Sequence, residues 1–165
     1  MIAALLATIS LAVCYPPPVV AQVAVPFVQP ACSYCPGHRG LEYLLQSGSP
    51  VESIASGVVI FSGMVAGTRY VVVRQTDGLR ATYGMLQTSV LTRGDVVVVG
   101  GLVGDSGPRL YFGLRDAADQ PVDPTPLLGT LVGRARLLPV NGGARRPPPA
   151  AHLTCSAIVS EAFPV

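Results

Sequence analysis

Two short segments carry the residue types that could do chemistry. In Gly37-His38-Arg39-Gly40-Leu41-Glu42 an imidazole and a carboxylate stand four residues apart. Far downstream, Arg109-Leu-Tyr-Phe-Gly-Leu-Arg115 alternates apolar and other residues as a strand does, so positions 109 and 111 point the same way. A His and a carboxylate from one loop, with two further donors side by side on a strand, is a layout that holds a zinc ion and leaves one position for water. Here the strand offers Arg109 and Tyr111 where such a site needs imidazoles. The layout is that of a metal hydrolase; the residue types on the strand are not.

The elements that must position these residues are strands. The chain has 165 residues, enough for one domain with one core, and half of them are hydrophobic, with no Trp, 18 Gly and 16 Pro. β-branched residues cut by Gly and Pro favour strands and turns over helices. A formal charge of +2, with no basic run longer than Arg145-Arg146, excludes a nucleic-acid binder. All eleven basic residues are Arg. Biotin- and lipoyl-carrying domains are also small β-folds, but they need an acceptor Lys, so that class is excluded.

Ile2–Val13 is an apolar run too short to span a bilayer, which takes about 20 residues. It reads as the core of a secretory leader ending at Val19-Val20-Ala21, before Gln22, although no basic residue precedes it and Pro16-Pro17-Pro18 follows. Export is expected, and the mature chain then has no transmembrane span. Leu11-Ala12-Val13-Cys14 is a poor lipobox, so lipidation of Cys14 is not expected. Removal of residues 1–21 leaves Cys32, Cys35 and Cys155 as disulfide candidates, an odd number, with the pairing left open. Cys32 and Cys35 with His38 also have zinc-ligand spacing that Cys155 could complete, but oxidation favours a disulfide.

Residues 22–36 read as a Pro-punctuated extended arm, 37–140 as the folded domain, and 141–165 as a linker and short tail. Within the domain, 69–75 and 79–83 form a hairpin across Thr76-Asp77-Gly78, and 51–63 is a strand interrupted at Gly57. Only Leu41–Gln46 keeps a helical period, and Leu131–Val140 reads as a last strand.

This order of segments resembles the lysostaphin/LytM-type zinc endopeptidases, which cut peptide cross-links in peptidoglycan. The match runs from Pro36 to Leu128. His38-Arg39-Gly40-Leu41-Glu42 stands on the family's His-x-Gly-x-Asp loop. Gly48-Ser-Pro-Val51 and Ser56-Gly-Val-Val-Ile-Phe-Ser-Gly63 stand on its next turn and strand. Tyr83-Gly84-Met85-Leu86 stands on Tyr-x-His-Leu, and Gly94-Asp95 through Val103-Gly104 on its two-Gly hairpin. Gly107-Pro108-Arg109-Leu110-Tyr111-Phe112 stands on Gly-x-His-x-His-Phe, and Val122-Asp123-Pro124 on the closing turn. The resemblance implies an all-β fold, a small antiparallel β-sandwich or open barrel of the duplicated-hybrid-motif type.

It also implies which positions would do the chemistry. The zinc ligands would fall at His38, Glu42 and Tyr111, and the family's two proton-handling His positions hold Met85 and Arg109. Glu42 keeps the charge of the Asp it replaces. Tyr111 is neutral near pH 7, with a reference pKa of about 10, and Met85 cannot accept a proton. Losing a general acid or base costs about 10²–10⁴ in rate. The expectation is therefore an inactive family member without a cofactor, in which an Arg109–Glu42 pair replaces the ion's positive charge, with Tyr111 and His38 hydrogen-bonded around it. Its cleft (His38, Glu42, Arg109, Tyr111) would bind a peptidoglycan peptide or another wall hydrolase in the cell envelope. One alternative is an active zinc endopeptidase that recruits Cys32, Cys35 or His152; another is a structural envelope module.

Overall fold

The structure, a computed structural model, describes residues 14–32, 34–132 and 152–155. Among the described residues eleven strands run in chain order: β1 (Val23–Val25), β2 (Leu41–Leu44), β3 (Pro50–Glu52), β4 (Gly57–Val65), β5 (Thr68–Gln75), β6 (Arg80–Thr88), β7 (Val96–Val97), β8 (Leu102–Arg115), β9 (Pro121–Val122), β10 (Thr130–Val132) and β11 (His152–Thr154). The only helix among the described residues is a single 3₁₀ turn, Thr125–Leu127, and none is long and apolar enough to cross a membrane. Nine strands form one antiparallel sheet in the order β1-β2-β8-β6-β5-β4-β7, with β3 and β9 also paired to β8. This is the all-β antiparallel architecture expected from the sequence.

Alternation explains the core. Val71 and Val73 of β5, Ala81 and Tyr83 of β6, and Leu110, Phe112 and Leu114 of β8 all project to one side and are fully buried. The Tyr83 and Phe112 rings pack at 5.4 Å between centroids. Burial lifts the Tyr83 phenol to about 12, and its oxygen accepts a hydrogen bond from the Ile54 amide at 3.0 Å. A buried amide is thereby satisfied where no ladder bond reaches it.

β8 is the spine. Its first part pairs β3, its middle pairs β2 through Leu41↔Phe112, Glu42↔Tyr111 and Leu44↔Arg109, and its end pairs β9. Opposite β6, the register jumps. Gly84 pairs Tyr111, but Leu86 pairs Ser106, so β8 advances five residues while β6 advances two. Residues 107–110 therefore leave β6, and Pro108, which has no amide hydrogen, sits in the departure. Met85 is the bulged residue on the other side, at a left-handed φ of 61°.

One expectation is corrected, and two segments outside the expected domain gain partners in it. Leu41–Leu44 is a strand, because its alternate residues Leu41 and Tyr43 are buried together; tertiary pairing with β8 overrides a weak helical period. The arm 22–36 contributes β1, which pairs β2. Residues 14–21, read as the end of a leader, pack into the domain: Tyr15 bridges Leu128, its hydroxyl donates to Asp77, and Tyr15 and Val19 join the core. β10 begins the strand expected at 131–140, and its partner is β11; residues 133–140 and the linker that follows lie outside the described residues.

Candidate functional site

His38 is fixed from its backbone outward. It exchanges two hydrogen bonds with Val28, each 2.9 Å, closing a loop whose turn holds the Cys32–Cys35 disulfide. Its Nδ1 lies 3.1 Å from the Pro26 carbonyl and its Nε2 lies 3.3 Å from Glu42 Oε1. Both ring nitrogens thus face oxygens that only accept, and only the doubly protonated ring donates to both. Glu42 comes from β2, facing Tyr111 across the ladder.

The other carboxylate oxygen is taken by a cation. Arg109 Nη1 stands 3.1 Å from Glu42 Oε2. The Glu42 side chain is 14% exposed and the Arg109 side chain 48%. Glu42 Oε2 is itself buried and receives no well-aligned hydrogen bond, so the contact is ionic more than directional. The register jump explains the reach: Arg109 lies in the stretch of β8 released from β6.

Tyr111 stays beside His38, but its hydroxyl has a different partner from the one expected. Its hydroxyl donates to the Arg39 carbonyl at 3.0 Å, and its ring meets the His38 ring edge-on at 5.9 Å. The ring is seated by two glycines: a Cβ on Gly40 or on Gly113 would come within 2.8 Å of Tyr111 atoms. Burial raises the Tyr111 phenol above its ordinary pKa, with Arg115 pulling the other way, and so favours the neutral form. Met85 lines a separate cleft with Arg109 and Arg69.

The donors that converge are therefore His38 Nε2 and Glu42, and among the described residues no third joins them. Among the described residues no group of three or more His, Cys, Asp or Glu is arranged to hold a metal. Cys32 and Cys35 are bonded to each other, and Cys155 to Cys14, so none offers a thiolate. The pairing left open by the sequence is thereby given: Cys14, which was assigned to the leader, is the partner of Cys155. The same bond uses the thiol that lipidation would need. His152 lies exposed on β11. Two disulfides are a feature of proteins in oxidising compartments. Sequence reading missed Arg69, whose cleft exists only through the bulges, and the Arg39 carbonyl, a backbone group without a residue signature.

The comparisons agree with this architecture. DD-carboxypeptidase/endopeptidase Mpg of Neisseria meningitidis serogroup B is 33% identical over 94 residues, covering 53% of this chain and 22% of Mpg. The chain spans only about a quarter or less of the length of the curated relatives it matches, 26% in the longest share. Csd3 of Helicobacter pylori superposes with a TM-score of 0.62 at 26% identity, over 72% of this chain and 34% of Csd3. The catalytic domain of lysostaphin, an antimicrobial peptidase from Staphylococcus simulans, shares the fold, with a TM-score of 0.56 at 22% identity over 64% of this chain and 90% of that domain. Residues 36–124, more than half the sequence, match the profile of Peptidase family M23, and the chain belongs to that family.

Proposed function

We propose that this M23 domain is exported, binds peptidoglycan peptides in the cell envelope, and does not hydrolyse them. The observation that carries the reading is the guanidinium of Arg109 against the Glu42 carboxylate. A catalytic zinc takes three protein ligands and keeps one position for water. Here the donor set does not fit: two donors converge, a fixed cation already neutralises the carboxylate, and the third family position is a neutral phenol bonded to a backbone carbonyl. The two positions that handle protons in the family hold Met85 and Arg109, and neither side chain takes up a proton near neutral pH. Without a metal-bound water or a base, the cleft retains peptide-binding walls and no nucleophile. The two disulfides support export into an oxidising space, with processing that leaves Cys14 in the mature chain.

The test pairs composition with activity. Purified protein is exposed to zinc, desalted and analysed for metal, then incubated with insoluble peptidoglycan. Near-zero zinc, cosedimentation with the wall and no released muropeptides are expected. One zinc per chain with chelator-sensitive release of muropeptides overturns the reading.

A further inference from the structure

The released stretch of β8 opens a cleft with a chemistry of its own. About 480 Å³ of space lies between the β4–β5 turn and the bulged part of β6–β8, bounded by Met64, Arg69, Met85, Leu86, Pro108 and Arg109. None of the residues that line it is acidic. The Arg69 side chain makes no ion pair or hydrogen bond with any described residue. Arg109 spends one nitrogen on Glu42 and remains half exposed. Two guanidiniums thus line one small cleft that holds no carboxylate of its own, and the one carboxylate that either meets, Glu42, lies outside the lining and pairs with Arg109.

The remaining walls are apolar. Met64 is exposed, and Met85 is held into the cleft by a left-handed backbone that a residue with a side chain rarely adopts. Strain of this kind, kept at a bulge, gathers at sites that bind. Thioethers adapt their shape to small or irregular side chains.

We propose that this cleft binds the free C-terminal carboxylate of a short peptide, clamped between Arg69 and Arg109, with the terminal side chain against Met64 and Met85. The inference rests on the peptide-binding reading above and narrows it from a peptide's middle to its end. An internal stretch of peptide brings only neutral carbonyls and leaves the unpaired Arg69 uncompensated. A carboxylate matches the planar guanidinium fork. Inorganic phosphate would match it too, but it gains nothing from the methionine walls.

The experiment titrates the full chain with acetyl-Ala-Ala (in both hands), its C-terminal amide and inorganic phosphate, following the methionine methyl resonances. The acid is expected to bind and to shift Met64 and Met85; the amide should be about tenfold weaker or more, having lost the charge-assisted contact, and phosphate about tenfold weaker or more, having no side chain to place against the methionines. Arg69→Met is expected to weaken the acid about tenfold with an unchanged melting temperature, since Arg69 supports no other contact. Equal binding of acid and amide, equal binding of phosphate, or an unaffected Arg69→Met variant overturns the proposal. If the protein sediments with peptidoglycan but binds no free peptide acid, this inference fails while the wider reading stands. If the acid binds and the wall does not, the wider reading fails and the carboxylate site remains.

Discussion

Removing Arg109 tests whether its guanidinium serves as the counter-ion of Glu42. At the observed 3.1 Å, the Coulomb attraction is about 1.3 kcal/mol in water and about 5 kcal/mol at an effective dielectric of 20. Glu42 is largely buried and Arg109 half exposed, so the pair lies between these limits. Desolvation of the carboxylate and screening on the arginine side take back most of the larger figure. A net coupling of about 1–2 kcal/mol is expected. Arg109→Ala alone leaves a buried carboxylate oxygen facing no cation, and should lower the melting temperature by about 3–6 °C. In a Glu42→Gln background the same substitution should cost almost nothing, because no charge remains to compensate. A double-mutant cycle by urea unfolding measures the difference directly. A coupling within about 0.3 kcal/mol of zero would show that the contact is incidental and that Glu42 is stabilised by something else.

Other outcomes follow from the same geometry. Arg109→His with Tyr111→His places an imidazole opposite Glu42 in the β2–β8 register and removes the competing cation. That variant should take up about one zinc, where the parent takes almost none, and gain about 2.7 kcal/mol at free zinc 100 times the dissociation constant; failure to bind metal would refute the assignment of ligand positions. The Cys14–Cys155 bond closes a loop with a sequence separation of 141, against 3 for Cys32–Cys35. Chain entropy then predicts a loss of about 5 kcal/mol for Cys14→Ser and about 2 kcal/mol for Cys35→Ser, and denaturant unfolding showing the reverse order would sink that account. Burial raises the Tyr43 and Tyr83 phenols from 10.0 to about 12. A group whose folded pKa is raised stabilises the fold fully below its unfolded value, so stability should fall as pH climbs from about 10 to about 12, read by unfolding alongside phenolate absorbance. Normal titration of every tyrosine at about pH 10 while the protein stays folded would contradict the burial.

The fold was legible because strand alternation is a local property. Leu110, Phe112 and Leu114 announce a buried face, and Thr76-Asp77-Gly78 announces the turn between β5 and β6, whatever surrounds them. The short segment Leu41–Leu44 was not legible, since four residues carry too little periodicity to separate helix from strand until β8 pairs with them. The packing of residues 14–21 was not legible for a related reason. An apolar run beside Pro16-Pro17-Pro18 reads as a leader in isolation, and nothing local shows that Tyr15 will find Leu128 or that Cys14 will find Cys155.

The sequence by itself determined the family, through the match over residues 36–124, and which side chains the candidate site has to work with: His38, Glu42, Met85, Arg109 and Tyr111. Side-chain identity is written in the chain. What only the tertiary structure decided is where those side chains aim. The register jump between β6 and β8 sends Arg109 to Glu42 and opens the cleft shared with Arg69. The room left by Gly40 and Gly113 turns the Tyr111 hydroxyl to the Arg39 carbonyl instead. Bulges and close approaches depend on which strand lies alongside, and that is settled by the burial of the whole core.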